Sequence, residues 1–302
     1  MTGTTRPLVS VLMTAYNREA FLPAAVESVL AQWRSEFELV IVDDCSSDGT
    51  LDIAREYERR DSRVRAYANP CNLGDYANRN HAASLARGEF MKFHDSDDIM
   101  YPHCLTVMMS ALEAQPRAGF GLSRSRAWPG GPVPMLLTPR QAYQREFLGF
   151  GMFMCGPSGA LFRTQVFREL GGFQDVGAPS DTIFWMRACA RYPVVLLPAD
   201  LFYYREHPGQ TLRAPDVCLE YARVPGHLWR ALADPDCPLD DRERAVGRRN
   251  VAFNTAKSIW LAARQGNFAL AWHRLAASGI TPAEWLRYLK VPRRSALAGV
   301  SS

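Results

Sequence analysis

The 302-residue chain is 47% hydrophobic and carries a net charge of +4 at neutral pH. That much apolar material excludes a disordered chain, and so small a charge gives no mark of a nucleic-acid binder. Seven cysteines, at 45, 71, 104, 155, 189, 218 and 237, form no CxxC pair, which fits neither a disulfide framework nor a zinc ribbon and points to a reducing compartment.

Residues 8–14 (LVSVLMT) are a short β-branched and apolar run that predicts a buried strand. Over 18–33, Phe21, Leu22, Ala25, Val26, Val29, Leu30 and Trp33 recur at helical spacing and predict an amphipathic helix. A second strand is expected at 37–42, followed by DDCSSDGT, whose turn and cap formers lead into a helix ending near residue 60. A third strand over 63–68, a helix over 76–87 with Gly88 as its C-cap, and a fourth strand over 89–94 complete the alternation. Such alternation builds a mostly parallel sheet with helices on both faces, and ligands bind outside the carboxyl ends of its strands. Those ends are Thr14, Asp43 and Asp95. Residues 116–139, rich in Gly, Pro, Arg and Ser, are expected to form a long loop and a mobile or acceptor-facing region. Further on, 155–173 reads as strand, short helix and glycine turn, 181–191 as helix, and 194–204 as one or two strands. Helices then run near 217–233, 242–264, 268–278 and 283–289. The expected organisation is a catalytic domain over 1–215, with a nucleotide-binding half at 8–115 and an acceptor half at 116–215, and a helical region over 216–302.

The chemistry concentrates at strand ends. Asp95-Ser96-Asp97-Asp98 places three carboxylates after a strand, a set of hard oxygen ligands suited to Mg²⁺ or Mn²⁺ with a diphosphate completing the shell. An acidic turn that caps the next helix would use the same residues. Asp43-Asp44 lies at a second strand end, where Asp44 can accept a hydrogen bond from a nucleotide base, or the pair can organise the Ser46, Ser47 and Gly49 turn.

The segments VSVLMTAYNR, VDDCSSDGT, NLGDYANRN and GEFMKFHDSDD, in this order over residues 8–103, resemble the family 2 glycosyltransferases of the GT-A fold. The resemblance implies a Rossmann-like mixed sheet flanked by helices and a donor with UDP, dTDP or GDP as carrier. It implies inversion at the anomeric carbon and a divalent metal, Mn²⁺ or Mg²⁺. Donor-site roles fall on Thr14, Tyr16, Asp44, Arg79, Asp95 and Ser96, with Asn17 and Arg18 nearby and metal contact at Asp97 and Asp95. In the second half, GGFQDVGAPSDTIFWMRACARYP and LFYYREHPGQT are also similar to this family, whose general base is an acidic residue opening the helix after the Gly-Gly-Phe turn. Asp181 occupies that slot. The family commonly shows Glu-Asp there, and this chain has Ser180-Asp181. His207 is similar to a late histidine that approaches the metal or diphosphate, while His94 ends a strand. Arg205 and Arg213 are candidates for phosphate.

The residues alone support the same chemistry. A sugar hydroxyl is a poor nucleophile at neutral pH, so a carboxylate must take its proton as it attacks. Asp181 could do this, or cap its helix as Ser180 also could. The expected acceptor is a glycan, glycolipid or other hydroxyl compound in cell-surface polysaccharide or glycan synthesis, with no nucleic-acid partner. A degenerate fold that only binds sugar or protein is the alternative motivated by Ser180. A sugar nucleotidyltransferase would want a glycine-rich phosphate loop that VLMTAYNREA does not offer. Trp229, Trp260, Trp272 and Trp285 sit among arginines, ahead of Lys290, Arg293 and Arg294, and suit either a membrane interface or a packed bundle. Residues 1–7 hold no signal-like apolar run and no eighteen apolar residues are consecutive, so the expected location is the cytoplasm, with peripheral contact at the inner membrane face left open.

Overall fold

The structure, a computed structural model, describes residues 7–124, 126–208, 210 and 217–289. Its contacts group into two compact units, residues 1–136, 155–175 and 192–207 in the first and 137–154, 176–191 and 208–302 in the second. The expected single boundary after residue 215 is therefore drawn differently. Two helical segments from the middle of the chain cluster with the carboxyl-terminal helices because their packing partners are there.

In the first unit β1 (Val9–Ala15), α1 (Leu22–Leu30), β2 (Phe37–Asp43), α2 (Thr50–Arg60), β3 (Val64–Ala68), α3 (Asp75–Ser84) and β4 (Phe90–Phe93) alternate as expected. They are followed by β5 (Ile99–Met100), α4 (Cys104–Glu113), β6 (Phe120–Leu122) and β7 (Met135–Leu137), the last reaching the unit boundary. After the intervening α5 (Pro139–Leu148) come β8 (Ala160–Arg163) and α6 (Thr164–Glu169); after α7 (Ser180–Arg191) come β9 (Val194–Leu196) and β10 (Phe202–Tyr203). The sheet order is β3-β2-β1-β4-β8-β6-β9-β7. Strands β1 to β4 are mutually parallel, and β8 runs antiparallel between β4 and β6. This is the mostly parallel mixed sheet that was expected.

β2 is buried along its whole length, as a central parallel strand covered on both faces must be. The register pairs Ala15 with Asp43 and Leu12 with Phe93, so the carboxyl ends of β1, β2 and β4 finish at one edge. The small β5–β10 ladder pairs Met100 with Phe202 and Ile99 with Tyr203, which brings the chain approaching His207 alongside the residues that follow Asp97.

Three local expectations change. The first helix starts at Leu22, because Asn17 has φ +53° and the Arg18 amide donates to Thr50 Oγ1 at 2.7 Å, holding 17–21 as a turn. It ends at Leu30, and Trp33, whose amide donates to Pro102 O, is exposed. Helix α3 ends at Ser84 and Gly88 is not its cap; a Cβ at 88 would lie 2.6 Å from Ser10 N and 2.8 Å from Val9 C, so glycine allows the backbones to touch. The expected 116–139 loop contains β6 and β7, and α4 precedes it, an element with no counterpart in the sequence reading. β6 is three residues long around a glycine, too short to show a period.

The second unit is helical. α5 opens with a Thr138/Gln141 capping box, and α7 is followed by α8 (Val217–Tyr221), α9 (Val224–Ala231), α10 (Asp241–Arg264), α11 (Phe268–Ala277) and α12 (Pro282–Leu289). α10 is capped by Asp240 and Glu243, and α5, α9, α11 and α12 pack on it. The four carboxyl-terminal helical segments match expectation. Among the described residues no helix is long and apolar enough to cross a membrane.

Candidate active site

At the carboxyl edge of the sheet the expected donor-side residues come together. Asp44, buried just past β2, accepts from Asn69 Nδ2 at 2.7 Å and Leu73 N at 2.9 Å on one oxygen, and from Gly74 N at 3.0 Å on the other. It thereby fixes the turn into α3, where Gly74 has φ +88°. Asp43 accepts from Ser46 N at 3.0 Å. The turn-organising reading of this pair is thus present in the structure. Thr14 is the penultimate residue of β1 and half-buried, and Tyr16 is exposed beyond it.

Arg79, on α3, is buried. Its Nη2 donates to Asp95 Oδ1 at 2.7 Å and its Nε to Asp75 Oδ1 at 2.8 Å. The other Asp95 oxygen accepts from Ser158 Oγ at 2.8 Å, and Ser158 Oγ accepts from the Asp95 amide. Burial would raise the Asp95 carboxyl, but the Arg79 guanidinium and the Ser158 hydroxyl hold it below the ordinary carboxylate range. The two carboxylates in turn raise Arg79 against its burial.

Asp97 Oδ2 accepts from Arg18 Nε at 3.1 Å and lies 2.9 Å from His207 Nε2. The His207 ring stacks on Phe21 with centroids 4.3 Å apart, and the Arg205 guanidinium lies over the Phe21 ring at 5.2 Å. His207 is therefore placed at the acidic motif. Ser96 is buried, and Asp98 is buried with its carboxyl pushed up to about 8 by desolvation and by the Asp95 charge. His94 is fully buried and pushed down to about 3, chiefly by burial. Arg213, Lys290, Arg293 and Arg294 lie outside the described residues.

Sequence reasoning missed three participants. Ser158 reaches Asp95 from the turn before β8. Phe21, expected on a greasy helix face, is the N-cap of α1 and the floor under His207. Lys92, fully buried in β4, donates through Nζ to the carbonyls of Phe93 and Ser158, and burial lowers it. A lysine inside the apolar run FMKF was the available signal.

Within the first unit, the buried side-chain polar atoms lacking a partner at hydrogen-bonding geometry, among the described residues, are Asp43 Oδ1, Arg79 Nη1, both His94 ring nitrogens and Asp98 Oδ2. All belong to this one edge. Buried polar atoms are normally satisfied, so such a cluster is what a site shaped for a polar ligand or for water looks like. No group of three or more His, Cys, Asp or Glu among the described residues is arranged to hold a metal on its own. The residues do suit a cation held by one or two carboxylates and completed by a ligand's phosphates, with Asp97 and the His207 imidazole beside it.

In the second unit, Ser180 Oγ donates to Gly177 O at 2.6 Å and accepts from Val176 N at 3.0 Å, closing the turn that starts α7. Asp181 is buried in the first turn of α7 and accepts from the Thr182 amide and from Thr182 Oγ1 at 3.2 Å. Thr182 Oγ1 also lies 3.9 Å from Met154 Sδ. Met154 lines a cavity of about 620 Å³ whose wall includes Tyr221, Leu228, Asn254, Ser258 and Arg274. Its size is within the roughly 300–1,000 Å³ of small-molecule sites.

The chain is 43% identical over 93 residues to the putative teichuronic acid biosynthesis glycosyltransferase TuaG of Bacillus subtilis, covering 31% of this chain and 37% of that protein. It is 30% identical over 196 residues to the putative glycosyltransferase EpsE of the same organism, covering 60% of this chain and 66% of that one. The aligned part therefore spans less than two thirds of either relative. Among solved structures, S. aureus TarS 1–349 in complex with UDP-GlcNAc matches with a TM-score of 0.62 at 21% identity, over 93% of this chain and 79% of that one. The mannosyltransferase PcManGT from Pyrobaculum calidifontis, in complex with GDP-Man and Mn²⁺, matches at 0.58 and 18%, over 94% and 88%. These likenesses establish the fold. The model of glycosyl transferase family 2 matches residues 10–171, more than half of the sequence, and the chain belongs to that family.

Proposed function

We propose that this protein is an inverting glycosyltransferase that moves a sugar from a nucleoside diphosphate carrier to an acceptor hydroxyl in the synthesis of a cell-surface polysaccharide or related glycan. The observation that carries the proposal is the gathering of Asp44, Arg79, Asp95, Asp97 and His207 at the carboxyl edge of parallel strands, where Arg79 Nη1 and atoms of the neighbouring Asp43, His94 and Asp98 are buried without a hydrogen-bond partner. The donors named with TarS and PcManGT make UDP- and GDP-linked sugars the first to try, with dTDP-linked sugars next. The name of TuaG supports a polysaccharide product.

In the reaction the acceptor oxygen forms a bond to the anomeric carbon as the bond from that carbon to the diphosphate oxygen breaks. Asp181 takes the hydroxyl proton, and its place in the first turn of α7 sets the carboxylate on a rigid element. Negative charge grows on the departing diphosphate, where Arg79, Arg18 and Arg205 are the cations the donor side offers. Asp44 and Tyr16 bind the nucleoside, with Thr14 and Ser96 lining the same edge, and Asp95 keeps Arg79 in place. Asp97 and His207 would hold a divalent cation, Mn²⁺ or Mg²⁺, which when bound supplies electrostatic stabilisation to the leaving group. Ser180, in the position where the family commonly has Glu, shapes a turn, so Asp181 is left as the base. The cavity beside Met154 takes part of the acceptor, a glycan or glycolipid.

The test is thermal unfolding of the full chain with UDP-, GDP- and dTDP-sugars, with and without Mn²⁺. A donor at a hundred times its Kd should stabilise the native state by about 2.7 kcal/mol. Asp97→Ala should remove the part that depends on metal. No response to any nucleotide sugar would defeat the proposal, and binding without transfer would mark a sugar-binding module.

A further inference from the structure

The four tryptophans of the carboxyl-terminal helices do not share one environment. Trp229 is buried, with its ring edge-on to Tyr288 and Arg248 across its face, so it packs the bundle. Trp260 and Trp272 are 57% and 71% exposed, and Phe268 is 70% exposed. On α10 the outward residues Phe253, Lys257, Trp260, Leu261 and Arg264 follow helical spacing, opposite the buried Val251, Thr255 and Ala262. On α11 Phe268, Trp272 and Leu275 do the same. The two helices form a hairpin turned by Gln265, Gly266 and Asn267. Arg274 donates to Ser258 O at 2.8 Å, a register that sets Trp260 level with Trp272 and Arg264 level with Phe268.

Charge distinguishes this face from an ordinary protein interface. Residues 244–283 contain six arginine and lysine residues and no aspartate or glutamate. Arg264 lies over Trp260 with its guanidinium 5.3 Å from the ring centroid, leaving the charge at the level of the aromatic surface. A second copy of the chain would bring the same cations against themselves. A surface carrying negative charge over an apolar interior meets both features, the cations at the headgroups and the aromatic rings at the boundary below.

We propose that the outward face of the α10–α11 hairpin docks onto an anionic lipid bilayer, with Trp260, Phe268 and Trp272 entering the interface and Lys257 and Arg264 meeting the headgroups. The docking does not depend on the proposed reaction, and vesicle binding and donor binding are read separately.

The test uses the full chain and extruded vesicles of phosphatidylcholine alone or with an equal share of phosphatidylglycerol, separated by flotation. The wild-type chain is expected to float with the anionic vesicles, weakly or not at all with the neutral ones, and to be released by high salt. Bromine-labelled lipid should quench tryptophan emission in the wild type, and less so in Trp272→Phe. Trp260→Ala with Trp272→Ala, and separately Lys257→Glu with Arg264→Glu, should each lower binding by tenfold or more. Because these side chains are exposed, the variants should keep the unfolding temperature of the wild type. The proposal is overturned if the wild type stays with the unbound fraction at low salt, or if both double variants bind as it does. It is overturned equally if light scattering shows a dimer that Trp260→Ala with Trp272→Ala dissociates, which would assign the face to a second copy.

Discussion

The Arg79–Asp95 ion pair is the electrostatic anchor of the sheet's carboxyl edge, and removing one partner should show it. In Asp95→Ala, Arg79 keeps only the half-exposed Asp75 as a counter-charge, while its side chain stays 9% exposed and its Nη1 already lacks a partner. Breaking a buried ion pair from one side costs about 3–5 kcal/mol, and the surviving Asp75 contact places this case near the lower end, about 3 kcal/mol. At roughly 2–4 °C per kcal/mol for a chain somewhat smaller than this one, the unfolding midpoint should fall by about 6–12 °C. Arg79→Met should cost a comparable amount, because it strands the Asp95 carboxylate. The double variant should be more stable than the sum of the single effects predicts, by about 2 kcal/mol. The assay is urea or thermal unfolding at neutral pH, repeated in acid. Asp95 has a depressed carboxyl in the folded state, so its contribution is present above the ordinary aspartate value near 3.9 and disappears as pH falls through its lowered one. The wild type and Asp95→Ala should therefore converge in strong acid. Additivity of the two single variants within about 0.5 kcal/mol, or a loss in Asp95→Ala under about 1 kcal/mol, would refute the reasoning.

Other consequences are equally measurable. Glu38 is buried in β2 and held below the ordinary glutamate range, against its burial, by Ser10 Oγ at 2.6 Å, the Arg87 amide, and the Arg65 and Arg87 guanidinium groups. Glu38→Gln should lose about 2 kcal/mol at neutral pH, a gap that closes as pH falls below about 4, seen in unfolding curves across that range. Gly88→Ala must displace the backbone of β1 or β4, so a loss of about 2–3 kcal/mol is expected, and a neutral result would contradict the close approach. His207→Ala should weaken Mn²⁺ binding, read by titration calorimetry in the presence of nucleoside diphosphate, while Asp44→Ala should weaken the nucleotide without that metal dependence. A chelator should abolish transfer, and added Mn²⁺ should restore it.

Much of the first unit was legible because parallel strands and their crossover helices repeat a strong pattern, and because the acidic residues fall where strands must end. The pattern gave way where tertiary contacts overrode it. Arg18 to Phe21 have helical composition, yet bonds to Thr50, Asp97 and Asp48 hold them out of the helix. Gly88 looked like a cap, and only the register of β1 against β4 reveals it as a point of backbone contact. β6 is too short for any period, and Ser158 is remote in sequence from the Asp95 it serves. The tryptophans show the same limit from another side. Spacing alone cannot separate Trp229, which packs, from Trp272, which does not.

The central claim is that Asp181 takes the proton of the acceptor hydroxyl. It is tested most directly by comparing donor binding and sugar transfer in Asp181→Asn, using a nucleotide sugar found by thermal shift and an acceptor found by screening. The account predicts unchanged donor affinity and a fall in transfer of about 10²–10⁴-fold, the contribution of a positioned general base. Transfer at the wild-type rate in Asp181→Asn would contradict it.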